Sequence, residues 1–436
     1  MDPSAPSAAE LAMPVTPAPA SASVLRPAIV YAMLFGAQGA YLPYVAIYLA
    51  STGLDLGTVG ALIALFAAVS LVAAPSWGAL ADGIGDVRGP VAVAGILSGG
   101  AVLALAIAVG PPALALAIAL LAAMFAGIIP MVDSQTVRLV GQRDRFGLAR
   151  APGSGAFVVV AFATGLAIAS LGPRGMFAVY GPLVVLTGLG AWVLLRLPPV
   201  GAASKPARTA RRSSSRAADR TLAGLSPTVI LGVLRTPRLG VFFVASVVVW
   251  TSHAALQGFV SLRVKELGGD STAIAATWSL GAVIEVFLMS GFPALARRFG
   301  AERLIVIGAS AFAIRALLSS IVDSPTVIVV ASAFGGVGFS FFYVGTVTWV
   351  AGSVGRGVQA TAQGIFTGTS NSIGAIVGSV AGGAIGGAFG LPTLFALSAV
   401  GYGAGAVLTW VAIARRPLLP PSPAPLARSS SDPGAG

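Results

Sequence analysis

The sequence predicts an all-α membrane protein, with twelve transmembrane helices in two pseudo-symmetric six-helix bundles. Three observations carry that prediction. The first is composition: of 436 residues, 56% are apolar and 9% charged, whereas soluble globular chains carry roughly 25% charged residues. The second is spacing, because Asp, Glu, Lys and Arg leave long apolar runs between them. The third is division: a Ser-, Ala- and Pro-rich segment at 198–236, bearing Lys205, Arg208, Arg211, Arg212, Arg216 and Arg220, separates the runs into six and six.

Residues 1–25 contain no basic n-region ahead of an apolar stretch, so they read as a disordered cytoplasmic tail rather than a signal peptide. Runs 27–54 and 56–81 supply spans one and two. The run 89–132 is long enough for two crossings, spans three and four, with Gly110-Pro111-Pro112 as the turn between them. Spans five and six follow at 151–173 and 175–195, closing an N-terminal bundle at 26–197. After the basic linker 198–236 come span seven at 239–262 and spans eight and nine at 271–296 and 304–322, each interrupted by one charge. Span ten is 324–355, and 357–414 holds spans eleven and twelve around Gly390-Leu391-Pro392. The C-terminal bundle is thus 237–415, and 416–436 is a second disordered tail. Each run approaches or exceeds the roughly 20 residues that a helix needs to cross a bilayer.

The net charge of +12 would suggest nucleic acid in a soluble protein. With the N-terminus threaded in the cytoplasm, however, every Lys and Arg except Arg174, Arg263, Lys265 and Arg315 falls on the cytoplasmic side. The excess is therefore a positive-inside signal, with both termini cytoplasmic and the plasma (inner) membrane as the expected location. No basic surface carries interleaved aromatics, which argues against nucleic acid. Zero cysteines and one histidine exclude a disulfide framework, a thiolate metal site and the usual zinc clusters. No phosphate loop, G-x-S-x-G elbow or H-E-x-x-H stretch occurs, so neither an enzyme nor a cofactor or metal is expected. Gly355-Arg356-Gly357-Val358-Gln359-Ala360 fits a dinucleotide pattern formally but follows no strand.

A faint internal repeat accompanies the division. Ala79-Leu80-Ala81-Asp82 after span two and Ala294-Leu295-Ala296-Arg297 after span eight stand at the same offset as Gly53 and Gly268. Gly172 with Phe177 before span six corresponds to Gly390 with Phe395 before span twelve. Two parallel six-helix halves with binding near the midplane describe a known transporter architecture.

On these residues the chain resembles the major facilitator superfamily. Gly78-Ala79-Leu80-Ala81-Asp82-Gly83-Ile84-Gly85-Asp86-Val87-Arg88 is similar to that superfamily's G-x-L-A-D-R-x-G-R-R signature, with Gly83 in place of the first Arg and Asp86-Val87 in place of the tandem Arg. The resemblance implies a gating loop at Gly78, Asp82 and Arg88. A closer resemblance, to the phenylpropionate permease and nucleoside-proton symporter branch and distantly to lactose permease, runs over most of the chain. It rests on Gly39-Ala40-Tyr41-Leu42-Pro43-Tyr44, Pro130-Met131-Val132-Asp133, Phe146-Gly147-Leu148-Ala149-Arg150 with Gly153-Ser154-Gly155, His253, Trp278-Ser279-Leu280-Gly281-Ala282-Val283-Ile284-Glu285, and Arg298-Phe299-Gly300 followed by Arg315. The relatives' span-ten His is absent, the chain reading Gly335-Gly336-Val337-Gly338-Phe339 there.

An ionised group at the bilayer centre costs about 2.5–3.5 kcal/mol, so each one needs a partner or a purpose. Glu285 lies twelve residues before Arg297 and Arg315 twelve after Arg303, which sets both about 18 Å from the cytoplasmic end on adjacent helices. Equal depth predicts an ion pair, either a static one fixing helix packing or one in which Glu285 exchanges a proton according to whether Arg315 or the solute faces it. By position alone, Asp133 and Arg150 are either headgroup charges or site residues. The resemblance implies that Arg150 anchors an anionic or hydroxylated solute and Asp133 orients it. His253, near mid-span, is either a packing residue or a titrating one. Gln38, Tyr41, Tyr44, Gln257, Trp278, Tyr343 and Asn371 are candidates to line a polar cavity. Ser370, Gly374, Gly378, Gly382 and Gly386 form a small-residue face for close packing.

The functional expectation is secondary active transport of a small organic solute by alternating access, as proton-coupled symport, with the solute, protons and the bilayer as partners and a monomer as the working unit. Proton-driven efflux of an amphipathic compound is the alternative within the class. A non-transporting membrane receptor or assembly protein is the alternative outside it, disfavoured because no soluble module longer than the linker is present.

Overall fold

The computed structural model describes residues 24–140, 143–197, 235–354 and 362–414. The tails and nearly all of the 198–236 linker lie outside these residues. Twelve helices are long and apolar enough to cross a membrane: Leu25–Ser51, Leu56–Ile84, Arg88–Ile107, Pro111–Val140, Arg145–Leu171 and Gly175–Leu194, then Pro237–Glu266, Ser271–Phe299, Ala301–Ile321, Pro325–Ser353, Ser370–Phe389 and Leu391–Ala414. Each corresponds to one expected span. Pro43 interrupts span one, where Leu42–Tyr44 form a turn, because proline removes a backbone donor and crowds the preceding helical turn.

The turns show why the repeat is visible in sequence. Gly53 and Gly268 have φ of 87° and 81°, and Gly172 and Gly390 have 74° and 83°, a left-handed region that costs other residues strain. Two residues after the first pair stand Asp55 and Asp270, which cap spans two and eight by accepting hydrogen bonds from the backbone N–H of Thr58 and Ala273. Asp55 also accepts from the Thr58 hydroxyl, which holds its carboxyl below the usual carboxylate range.

Packing repeats as well. In the first half, span one lies against five and six, three against four and six, and two against four. In the second, seven lies against eleven and twelve, nine against ten and twelve, and eight against ten. Every pair in one half has its counterpart six spans later. The small-residue face of span eleven packs on span seven: a Cβ at Gly374 would lie 2.5 Å from that of Trp250, and one at Gly378 would strike the Thr251 carbonyl.

The halves meet through spans two with eleven and five with eight, at the end remote from the termini. There Gly60 abuts Ser379 and Gly383, Gly383 also abuts the Leu56 carbonyl, and Gly165 lies against Ser271. At the terminal end of the same spans, Gly78, Gly83, Gly155 and Gly291 have nothing within 4 Å of a would-be Cβ. The close contacts between the halves thus lie at the end remote from the termini, and the glycines at the other end of these spans meet none. Adding a side chain to a packed contact costs typically 1–3 kcal/mol. Gly60→Leu should therefore shift the equilibrium about tenfold toward opening of the closed end, read as a longer distance between spin labels on Thr52→Cys and Phe389→Cys.

Candidate functional site

Charged side chains of both halves approach the parting between them. On the N-terminal half, span four carries Asp133 and span five Arg150, whose Nη1 lies 3.0 Å from Asp133 Oδ2. Tyr31 on span one donates its hydroxyl to Asp133 Oδ1 at 2.6 Å. The Arg150 guanidinium lies over the rings of Phe35 at 4.9 Å and Tyr31 at 5.8 Å, an arrangement that favours the cation by about 0.5–2 kcal/mol. Gly153 makes room for it, since a Cβ there would collide with the Phe35 ring. The pair is partly open, with 40% of the Arg150 side chain and 30% of that of Asp133 exposed. Asp133 and Arg150 are thus neighbours. Tyr31 and Phe35 were missed in the sequence, although their spacing puts both on one face of span one.

Glu285 sits half-buried on span eight and belongs to this group rather than to Arg315. The cation whose field reaches its carboxylate is Arg150 of the opposite half, and the structure contains no Glu285–Arg315 ion pair. The expectation of that pair is corrected by span ten. A Cβ on Gly335 would lie 2.7 Å from Arg315 Nη1, while one on Gly336 would lie 3.0 Å from the Glu285 backbone N. Gly335 thus leaves room for the Arg315 side chain, while Gly336 lets span ten pack against the span-eight backbone at Glu285. Arg315 is 5% exposed and its Nε has no hydrogen-bond partner among the described residues. Without direct coupling, the thermal destabilisation of an Arg315→Ala, Glu285→Gln double variant should equal the sum of the single variants within about 0.5 kcal/mol. A rescue of one by the other would restore the pair.

The remaining candidates divide. His253 packs edge-on to Trp250 at 5.3 Å and beside Phe312 at 5.0 Å, with Nδ1 3.3 Å from the Tyr402 hydroxyl, an aromatic box that fits the packing reading. Tyr44 does not line a cavity. It is 1% exposed, and its hydroxyl lies 2.8 Å from the Ala161 carbonyl oxygen and 3.2 Å from that of Ser271, joining the halves at the closed end. Trp278 donates to Ser261 Oγ at 3.0 Å and ties span eight to seven. Tyr343 stacks on Phe339, Gln257 Oε1 is buried without a partner among the described residues, and Asn371 is exposed. Gln38 and Tyr41 line a recess of about 100 Å³ inside the N-terminal half.

The gating loop also differs from its expected form. Arg88 pairs with Asp86 at 2.8 Å and lies over Trp192 at 5.4 Å. Asp82 is exposed and makes no ion pair among the described residues, and Gly78 is open. The Arg88 guanidinium holds the Asp86 carboxyl below the usual carboxylate range, so the pair is intact at neutral pH. The chain closes this loop through Asp86, one of the positions where it departs from the superfamily signature.

Twelve membrane-crossing helices in two equivalently packed halves make this a multi-pass membrane protein, and its family and relatives make it a transporter of small solutes rather than an enzyme. The chain belongs to the MFS_1 like family, whose model matches residues 24–397. It is similar to maltose permease of Geobacillus stearothermophilus, 26% identical over 356 residues covering 79% of this chain and 83% of that protein. Among solved structures, the nucleoside transporter NupG shares the fold with a TM-score of 0.76 at 16% identity, over 90% of this chain and 99% of its own. The peptide transporter POT, with bound alafosfalin, gives 0.64 at 16% identity over 90% and 93%.

Proposed function

We propose that the protein is a proton-coupled symporter in which Arg150 and Asp133 hold a small organic solute and Glu285 carries the proton. The observation that bears this reading is the grouping across the cleft: a partly exposed Arg150–Asp133 pair on one half, and on the other a half-buried Glu285 within electrostatic reach of that same Arg150. A solute group that takes up Arg150 changes the field at Glu285, and protonation of Glu285 frees Arg150 for the solute. Binding of the two is then linked reciprocally. Neighbouring proteins named for a sugar, a nucleoside and a peptide support a polar organic solute of modest size.

The basic residues on the terminal side support cytoplasmic termini in a plasma (inner) membrane, and on that reading the conformation parted at that end is the inward-open one. Closure there with opening at the Tyr44–Ser271 end completes alternating access by a monomer. Purified protein in liposomes tests the proposal: an inward-directed proton gradient should accumulate at least one of a panel of sugars, nucleosides, dipeptides and aromatic acids above the level in empty vesicles. Gradient-independent flux of that solute removes the coupling, and absence of flux across the panel removes the transport reading.

A further inference from the structure

We propose that Arg315 is the centre of a buried site for a small monovalent inorganic anion of the chloride type, held inside the C-terminal half as the counter-ion this arginine otherwise lacks. The inference goes beyond the transport reading and does not depend on it. Arg315 is 5% exposed, and its Nε is buried with no hydrogen-bond partner among the described residues. No carboxylate among them pairs with it. Spans seven, nine, ten and twelve carry two acids, Glu266 and Glu302, and each has its own arginine: Arg263 at 2.9 Å and Arg238 at 3.3 Å. Glu285 on span eight is within the field of Arg150. A charge in the membrane interior without a partner is costly, so the missing anion has to come from outside the chain.

The neighbours of Arg315 supply donors and no compensating charge. His253 on span seven and Tyr402 on span twelve are both within its electrostatic reach, and His253 Nδ1 lies 3.3 Å from the Tyr402 hydroxyl. That bond uses one proton of the pair. If the hydroxyl donates, the neutral imidazole keeps its N–H at Nε2; if Nδ1–H donates, the phenol keeps its O–H. Either way one donor is left over beside a guanidinium that can only donate. Buried polar groups are ordinarily paired, and a surplus of donors around a lone cation is satisfied by an anion. The walls set its size. A Cβ on Gly335 would lie 2.7 Å from Arg315 Nη1, and one on Gly338 would strike the Phe312 ring. Phe312 in turn lies 5.0 Å from both His253 and Tyr402. Span ten and these rings close on the guanidinium, which suits a single ion better than the carboxylate of a bulky organic acid.

Sodium chloride titrated against sodium gluconate at constant ionic strength tests the site with purified protein in detergent, read as the thermal midpoint. Replacing gluconate by chloride should raise the wild-type midpoint saturably, as binding to the folded state alone requires. Arg315→Gln should lose that dependence. Arg315→Lys keeps the charge without the planar fork and should keep a chloride response at weaker apparent affinity. Gly335→Ala, whose methyl presses on Nη1, should weaken the affinity about tenfold, the scale of forcing one methyl into a packed contact, and it decides the matter if Arg315→Gln does not fold. A wild-type midpoint indifferent to chloride, a response that survives in Arg315→Gln, an affinity unchanged in Gly335→Ala, or an equal shift with sodium acetate overturns the proposal. The readout needs no gradient, so failure of proton-driven flux leaves it standing, and gradient-driven flux without a chloride response removes the anion site alone.

Discussion

Glu285→Gln should abolish gradient-driven accumulation while leaving counterflow exchange of the solute intact. The amide keeps the shape of the protonated acid and cannot release a proton, so the loaded carrier still reorients with solute on both sides. A one-unit pH gradient can drive up to about tenfold accumulation when one proton moves with one neutral solute, because 1.4 kcal/mol is a factor of ten. The variant should bring solute to equal concentration inside and out. Wild-type accumulation in Glu285→Gln would remove this residue from the coupling mechanism. Loss of counterflow as well would assign it to solute binding or to the fold instead, which the thermal midpoint of the variant distinguishes.

Arg150→Ala should weaken solute binding about tenfold to a hundredfold, the scale of hydrogen bonds to a charged group at 1.5–3 kcal/mol, read as the half-saturating concentration in counterflow. The guanidinium is held by Asp133 and sits over Phe35 and Tyr31, so its removal also leaves Asp133 with the Tyr31 hydroxyl alone. Arg150→Lys keeps the charge without the planar fork and should fall between the two. If Glu285 responds to Arg150, both variants should also move the pH dependence of counterflow, an effect that a purely structural Arg150 would not produce. Unchanged half-saturation in Arg150→Ala would separate this pair from the solute.

The spans were legible because a bilayer forbids isolated charge, and runs such as 56–81 and 324–355 record that prohibition directly. The repeat was legible where backbone chemistry demands one residue: Gly53 with Gly268 and Gly172 with Gly390 all adopt positive φ. The candidate site was legible only in part. Helical arithmetic gives depth and not azimuth, so the equal depth it assigns to Glu285 and Arg315 does not bring them together, and Arg315 packs against Gly335 instead. Tyr44 resembled a cavity residue because nothing in the sequence tells a hydroxyl aimed at solvent from one aimed at carbonyls of two other spans. Tyr31 and Phe35 were missed because aromatic residues on a membrane helix are ordinary, and only the approach of Arg150 gives these two a role.

Alternating access itself is tested most directly by distances at the two ends of the cleft, and the absence of native cysteine allows labels to be introduced without background. One pair, Thr52→Cys with Phe389→Cys, reports the closed end, and a second, Leu80→Cys with Phe299→Cys, the parted end. Measured by pulsed electron resonance in lipid nanodiscs at pH 5 and pH 8, the two pairs should exchange populations in opposite senses, one distance shortening as the other lengthens. Distances that stay fixed across this range, or that lengthen together, would contradict the account.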